Sequence, residues 1–245
     1  MWPLATRAQQ PERVRRIGVI MSLAADDRET QARHAAFLQG LQQLGWTEGR
    51  NARIEFRGAT DADHIRRYAA ELVALAPDVI LSSGTAVAGP LLQATRTVPI
   101  VFVQVADPVG AGFVESLSRP GGNATGFSVF EYSVSGKWLE LIKEIVPGVK
   151  RVAVIRDPSI SAGPAQFAAI QAVAPSFGVE LSPLGVGDAS EIENTLGSFA
   201  RGSNGGLIVT ASALALAHRD LIRRWRLDTS CPRPTSNVPS SPAVA

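Results

Sequence analysis

Arg15-Arg16-Ile17-Gly18-Val19-Ile20 and, far downstream, Lys150-Arg151-Val152-Ala153-Val154-Ile155 share one design: two basic residues, then a short apolar run. Apolar runs without polar alternation mark strands buried on both faces, as in a parallel sheet. Each run opens a series of alternating segments. After Ile17–Met21, residues Phe37, Leu38, Leu41 and Leu44 recur at helical spacing, and Gly45 stands where a left-handed cap ends a helix. Ala52–Phe56 reads as a second strand, and Ile65, Tyr68, Leu72 and Leu75 mark a helix face that Pro77 terminates. Val79–Leu81 and Ile100–Val105 are further strands, flanking a short helix in which Pro90 implies a kink or a late start. Ala124–Phe127 closes this half. The second series has a helix with Phe167, Ile170, Ala174 and Phe177, then the strand Val179–Leu184. A capping box, Ser190-x-x-Glu193, opens a helix carrying Ile192, Leu196 and Phe199, and Gly206–Thr210 is the last strand. Between the series, Val134, Trp138, Leu141 and Ile145 form one face of a helix over Val134–Val146. Strands alternating with such helices predict parallel α/β layers, and the restart predicts two lobes, residues 13–128 and 129–222.

Composition agrees with a globular chain. Of 245 residues, 45% are hydrophobic and 19% charged, enough to bury a core and unlike a disordered or fibrous protein. The longest apolar candidates, Ile100–Ala106 and Leu207–Ala217, fall short of the ~18 residues a membrane-spanning helix needs. A net charge of +2 comes from 24 basic and 22 acidic residues spread along the chain, so no nucleic-acid partner is expected. The single cysteine, Cys231, permits neither an intramolecular disulfide nor a thiolate cluster. His34, His64 and His218 lie far apart without ligand spacing, so they read as polar helix-face residues and no metal is expected. There is no G-x-S-x-G elbow and no G-x-x-x-x-G-K-[ST] loop. Gly110-x-Gly112-x-x-Glu115 and Gly185-x-Gly187-x-x-Ser190 each lack the third glycine of a dinucleotide fingerprint. Neither a cofactor nor a catalytic residue is expected.

Both ends depart from the α/β plan. Residues 1–12 resemble the remnant of a secretory signal, with Thr6-Arg7-Ala8 approximating a cleavage site; a disordered arm is the alternative. Residues 223–245 carry four prolines, six Ser/Thr and no apolar periodicity, which predicts a disordered tail. The chain has 21 Arg against 3 Lys, as a GC-rich coding sequence gives, and a frameshift near residue 222 fits such a tail. On that reading the second lobe is incomplete, and apolar surface near Leu207–Val209 and Leu214–Ile222 stays uncovered.

In open parallel sheets, ligands bind outside the carboxyl ends of the strands. Three loops there carry suitable groups. Ser82-Ser83-Gly84-Thr85 follows a strand and opens a helix, offering N–H groups and hydroxyls to a carboxylate or carbonyl. Ala106-Asp107-Pro108-Val109-Gly110 sets a carboxylate on the same rim, and Arg156-Asp157-Pro158-Ser159 occupies the equivalent rim of the second lobe. A turn or a helix cap is the plain structural alternative for each.

Several longer stretches resemble a family. They are Phe37-Leu38-Gln39-Gly40-Leu41, Leu44-Gly45-Trp46-Thr47-Glu48-Gly49-Arg50-Asn51, Pro99-Ile100-Val101-Phe102 and Asp107-Pro108-Val109-Gly110-Ala111-Gly112. Arg119-Pro120-Gly121-Gly122-Asn123-Ala124-Thr125-Gly126 and Trp138-Leu139-Glu140-Leu141-Ile142-Lys143-Glu144 continue the likeness, which spans roughly residues 12–222. The chain resembles periplasmic substrate-binding proteins of ABC transporters, in the tryptophan/tyrosine-type group. The resemblance implies a type I periplasmic-binding-protein architecture, two Rossmann-like parallel-sheet lobes closing on a small organic ligand such as an amino acid. It implies a periplasmic location, an ABC permease of the inner membrane as partner, and no enzymatic activity. The family's cleft positions fall on Ser83, Gly84 and Thr85 for the ligand's anionic end and Asp107 for its cationic end. Phe130 packs against the ligand, and Asp157 and Ser159 contact it from the second lobe. A cytoplasmic small-molecule sensor domain and a doubly wound enzyme are the alternative readings of the same architecture.

Overall fold

The computed structural model describes residues 13–228, with side chains to Arg224. The expected signal remnant at 1–12 and the tail from 229 onward lie outside the described residues. Eight strands and eight α-helices alternate among them.

The first lobe contains β1 (Arg15–Met21), α1 (Arg28–Gln43), β2 (Ala52–Gly58), α2 (Ala62–Ala74), β3 (Val79–Ser83), α3 (Thr85–Ala94), β4 (Ile100–Val105) and β5 (Ala124–Ser128). Its five strands are all parallel, in the order β2-β1-β3-β4-β5. Apolar side chains on both sheet faces explain the unbroken runs of the sequence. Ile20, Ile80, Ile100 and Phe102 pack under α2 and α3 with Ile65, Leu72 and Leu91. Ile17, Val19 and Met21 pack on the opposite face against Phe37 and Leu41 of α1. Gly45, at φ +84, ends α1 as the spacing predicts. Helix α2 stops before Pro77. Pro90 sits within α3, which begins at Thr85 and so has no late start.

A 3₁₀ turn at Tyr132–Val134 leads into the second lobe: α4 (Ser135–Ile145), β6 (Arg151–Arg156), α5 (Ala162–Val173), β7 (Glu180–Gly185), α6 (Ala189–Ala200), β8 (Gly205–Val209), α7 (Ala213–Ala217) and α8 (Arg219–Asp228). Its described strands form a parallel sheet in the order β7-β6-β8. Pro183 lies in β7, on the edge, where a missing N–H leaves no inner ladder bond unmade.

Four expectations are corrected here, the last in part. Helix α6 is capped by Asp188, whose side chain accepts the Glu191 N–H at 2.9 Å; Ser190 lies inside the first turn. Helix α4 turns a different face inward. It buries Ser135, Gly136 and Leu139, whereas Val134, Leu141 and Ile145 are exposed. The reason is close packing on α5: a β-carbon at Gly136 would sit 3.4–3.5 Å from Val173 and the Ala169 carbonyl. Finally, α8 continues to Asp228, six residues past the expected boundary at 222. Much of the apolar surface expected to stay uncovered is packed, although Val209 is 40% exposed. Ala215 and Ile222 are buried against Ile155, Ile192 and Leu196, with Leu207, Leu214 and Leu221 packed around them.

Candidate ligand-binding cleft

Strand order 2-1-3-4-5 places a topological switch point between β1 and β3, where successive connections leave on opposite faces. The chain ends of those strands therefore diverge and leave a crevice. In the second lobe the corresponding gap lies between β6 and β8. The two gaps face one another across a cavity of about 480 Å³.

Ser22 and Leu23, which follow β1, line it together with Gly84, Thr85 and Ala86 at the start of α3. The Ser22 N–H donates to the Ser83 carbonyl at 3.0 Å, tying the two loops at the switch point. Gly84 has φ +110, and a β-carbon there would lie 2.8 Å from that of Ser22. Only glycine lets these loops meet. Gly84 leaves α3 without a side-chain cap, so no capping oxygen occupies the first N–H groups of this helix at the cavity wall.

From β4 comes Gln104. The β4–β5 register shifts between Phe102 and Val105, and Gln104 takes φ +57 at this irregularity. An irregularity of this kind re-aims a side chain at a sheet rim, and Gln104 lines the cavity. Phe130 lines it too, held edge-to-face against Trp138 with ring centroids 5.5 Å apart.

The second lobe contributes Ile160 from the loop after β6, and Thr210, Ala211 and Ser212 from the loop after β8. Buried Gln166 fixes that loop, accepting the Ala211 N–H at 2.9 Å while donating to the Ser135 hydroxyl at 3.0 Å. The Thr210 hydroxyl donates to the Ile155 carbonyl at 2.9 Å. Arg219, Ile222 and Arg223 of α8 complete this wall, opposite Arg33 of α1.

One ion pair joins the lobes across the rim. Arg219 Nη1 lies 3.1 Å from Asp27 Oδ2. Burial pushes the Asp27 carboxyl up, but the Arg219 hydrogen bond and charge and the N–H groups of Glu29 and Thr30 hold it below the usual carboxylate value.

Among the residues expected to meet a ligand, Gly84, Thr85 and Phe130 line this cavity. Thr85 does so with its hydroxyl engaged, accepting the Ala106 N–H at 3.1 Å. Ser83 is buried behind them and is not part of the lining. Asp107, Asp157 and Ser159 are also outside it. The Asp107 carboxylate accepts the Gly110 N–H at 2.7 Å and the Tyr132 N–H at 3.3 Å, so both oxygens brace the backbone between the lobes. Asp157 is buried and accepts the Ser159 N–H and hydroxyl through one oxygen, closing a turn. Ser22, Gln104, Thr210, Ser212 and the three arginines lack any motif. Of these, only Ser22 has a signal in sequence: it follows the first strand, beside the switch point.

Residues 16–225 match the ABC transporter substrate binding protein family. The chain belongs to that family. Among the binding proteins it is similar to is the tyrosine-binding protein of Clostridioides difficile (strain R20291), 32% identical over 164 residues. That match covers 66% of this chain and 47% of the relative, so the chain spans about half the length of that curated relative. A conserved domain protein from Vibrio cholerae is similar in structure, with a TM-score of 0.75, 27% identity, and coverage of 88% of this chain and 72% of the other. An ABC domain from Streptococcus pneumonia crystallised with L-Trp gives a TM-score of 0.76 at 22% identity, with the same coverage. The likeness at the level of fold extends to a periplasmic binding protein from Burkholderia mallei, TM-score 0.58. The architecture is the type I periplasmic-binding-protein fold, as the sequence implies. Family membership places the chain among solute-binding proteins, which are not a class of enzymes.

Among the described residues no helix is long and apolar enough to cross a membrane, and no group of three His, Cys, Asp or Glu could hold a metal ion.

Proposed function

We propose that this chain is the solute-binding component of an ABC-type importer, taking a small organic ligand between its lobes. The observation that carries this reading is the cavity itself, lined from both lobes at the carboxyl ends of their strands. A ligand touching both walls binds the closed arrangement better than the open one and so shifts the population towards closure. A membrane permease reading closure is the partner that the family supplies, and the space outside the inner membrane is where the two would meet. Gly84, Thr85 and Phe130 are the ligand contacts from the first lobe, joined by Ser22 and Gln104; Thr210 and Ser212 are those from the second. No side chain is given a catalytic role, since the described lining holds no nucleophile paired with a base.

The test is a thermal-shift screen of the 245-residue chain over amino acids, organic acids and sugars. One class should raise Tm in proportion to the logarithm of its concentration above Kd, as mass action requires. Phe130→Ala should reduce that shift. A screen in which no class moves Tm, or in which the ligand is chemically altered on incubation, would overturn the reading.

A further inference from the structure

The charges around the cavity are unequal. Three arginines line it, Arg33 from the first lobe and Arg219 and Arg223 from the second, and no Asp or Glu does so among the described residues. Arg219 and Arg223 are four residues apart on α8, hence on one face of the helix. Of the carboxylates nearby, Asp27, Glu29 and Asp107 are already engaged, and Asp220, next to Arg219 in the chain, is exposed and outside the lining. Asp27 uses Oδ1 on the Glu29 N–H and Oδ2 on Arg219. Glu29 holds Arg33 at 2.8 Å. Both oxygens of Asp107 hold backbone N–H groups. Arg223 has no ion-pair partner among the described residues and is exposed to the cleft. Beside the uncharged polar groups of Ser22, Thr85, Gln104, Thr210 and Ser212, the wall is largely apolar, with Leu23, Val129, Phe130, Ile160 and Leu216 among its members.

From this juxtaposition we infer that the ligand is an apolar organic anion, a carboxylate without an ammonium group, and not a zwitterionic amino acid. The inference rests on the cleft being the ligand site. A guanidinium presents paired donors that fit a carboxylate in two parallel hydrogen bonds. Arg223 supplies an uncommitted fork, and Arg219 keeps donors beyond the Nη1 that it gives to Asp27 and the Leu216 carbonyl. An ammonium in the same space would lose its water, meet no carboxylate among the described lining residues and lie beside positive charge. The apolar wall takes the ligand's body, so the charge sits at one end only.

Four probes share one skeleton: 3-phenylpropanoate, L-phenylalanine, 2-phenylethylamine and the neutral 3-phenylpropanamide. Isothermal titration of the full 245-residue chain should give 3-phenylpropanoate an affinity about tenfold or more above those of L-phenylalanine and 2-phenylethylamine, because both amines bring an ammonium that meets no carboxylate on the wall. Arg223→Gln should weaken 3-phenylpropanoate by about tenfold and leave 3-phenylpropanamide unchanged. L-phenylalanine binding as tightly as the acid overturns the inference and leaves the solute-binding reading standing. Equal loss of the acid and the amide in Arg223→Gln overturns it too, because the arginine then acts through shape alone. Binding of none of the four overturns the inference, whereas the solute-binding reading stands or falls with the wider thermal-shift screen.

Discussion

Asp107 illustrates how a residue's chemistry and its job separate. A carboxylate at a strand end suits an ammonium, yet here both oxygens are taken by the N–H groups of Gly110 and Tyr132. Its φ of +43 belongs to the left-handed region, which Asp tolerates better than most residues. Asp107→Ala removes two acceptors and leaves the strained backbone, so it should cost about 1–3 kcal/mol of stability. Chemical denaturation of the variant checks this, and its ligand affinity should change little. A variant as stable as the parent that no longer binds would return Asp107 to the ligand. Gly84 is the converse case, a residue whose lack of a side chain is its contribution. Gly84→Ala brings a methyl group against Ser22 and imposes φ +110 on an L-residue. We expect a loss of about 1–3 kcal/mol together with weaker ligand binding, measured as a lower Tm with and without ligand.

At the scale of the element, α4 shows why apolar spacing alone does not select the buried face. Val134, Trp138, Leu141 and Ile145 recur at helical spacing, but the face that packs on α5 carries Ser135, Gly136 and Leu139. Small residues let two helix backbones approach, and the apolar stripe beside them is left partly in water. Gly136→Leu should therefore cost about 1–3 kcal/mol by overpacking against Val173. Ile145→Ser, on the exposed side, should stay within about 0.5 kcal/mol of the parent. Urea denaturation of the pair decides the matter, since the apolar-stripe reading gives the opposite order. Where an element's neighbours are uniform, sequence does better. In β1 and β6 both flanks are sheet and both faces are covered, so apolar runs alone locate them.

At the scale of the whole molecule, the Asp27–Arg219 pair links the N-cap of α1 to the first turn of α8 across the cleft rim. The Asp27 carboxyl is held below its ordinary value in the folded chain, so its contribution is present above about pH 4. It is lost as pH falls through the lowered value and the carboxyl protonates. Asp27→Asn removes the charge at neutral pH while an asparagine still caps α1. We expect faster amide hydrogen exchange over residues 213–224 in the variant at pH 7, with α1 as protected as before. Unchanged exchange would assign the pair no role in holding the lobes.

The sequence by itself determined the alternation of strands and helices, the division into two parallel lobes and the strand-end rims at which the cavity lies. Those follow from local causes: apolar periodicity, the stop at Pro77, the left-handed Gly45 and the need of a parallel strand to be covered on both faces. Tertiary structure decided which rim residues face the cavity. Gln104 reaches it through an irregularity that arises only when β4 meets β5. Arg33, Arg219 and Arg223 become neighbours through the approach of α1 and α8, which are remote in the chain. Asp107 and Asp157 carry the polar groups that a binding site needs, yet partners supplied by the fold already engage them and neither lines the cavity. A side chain's chemistry is written in its own residue, but whether its hydrogen bonds remain free for a ligand depends on groups that only folding brings within reach.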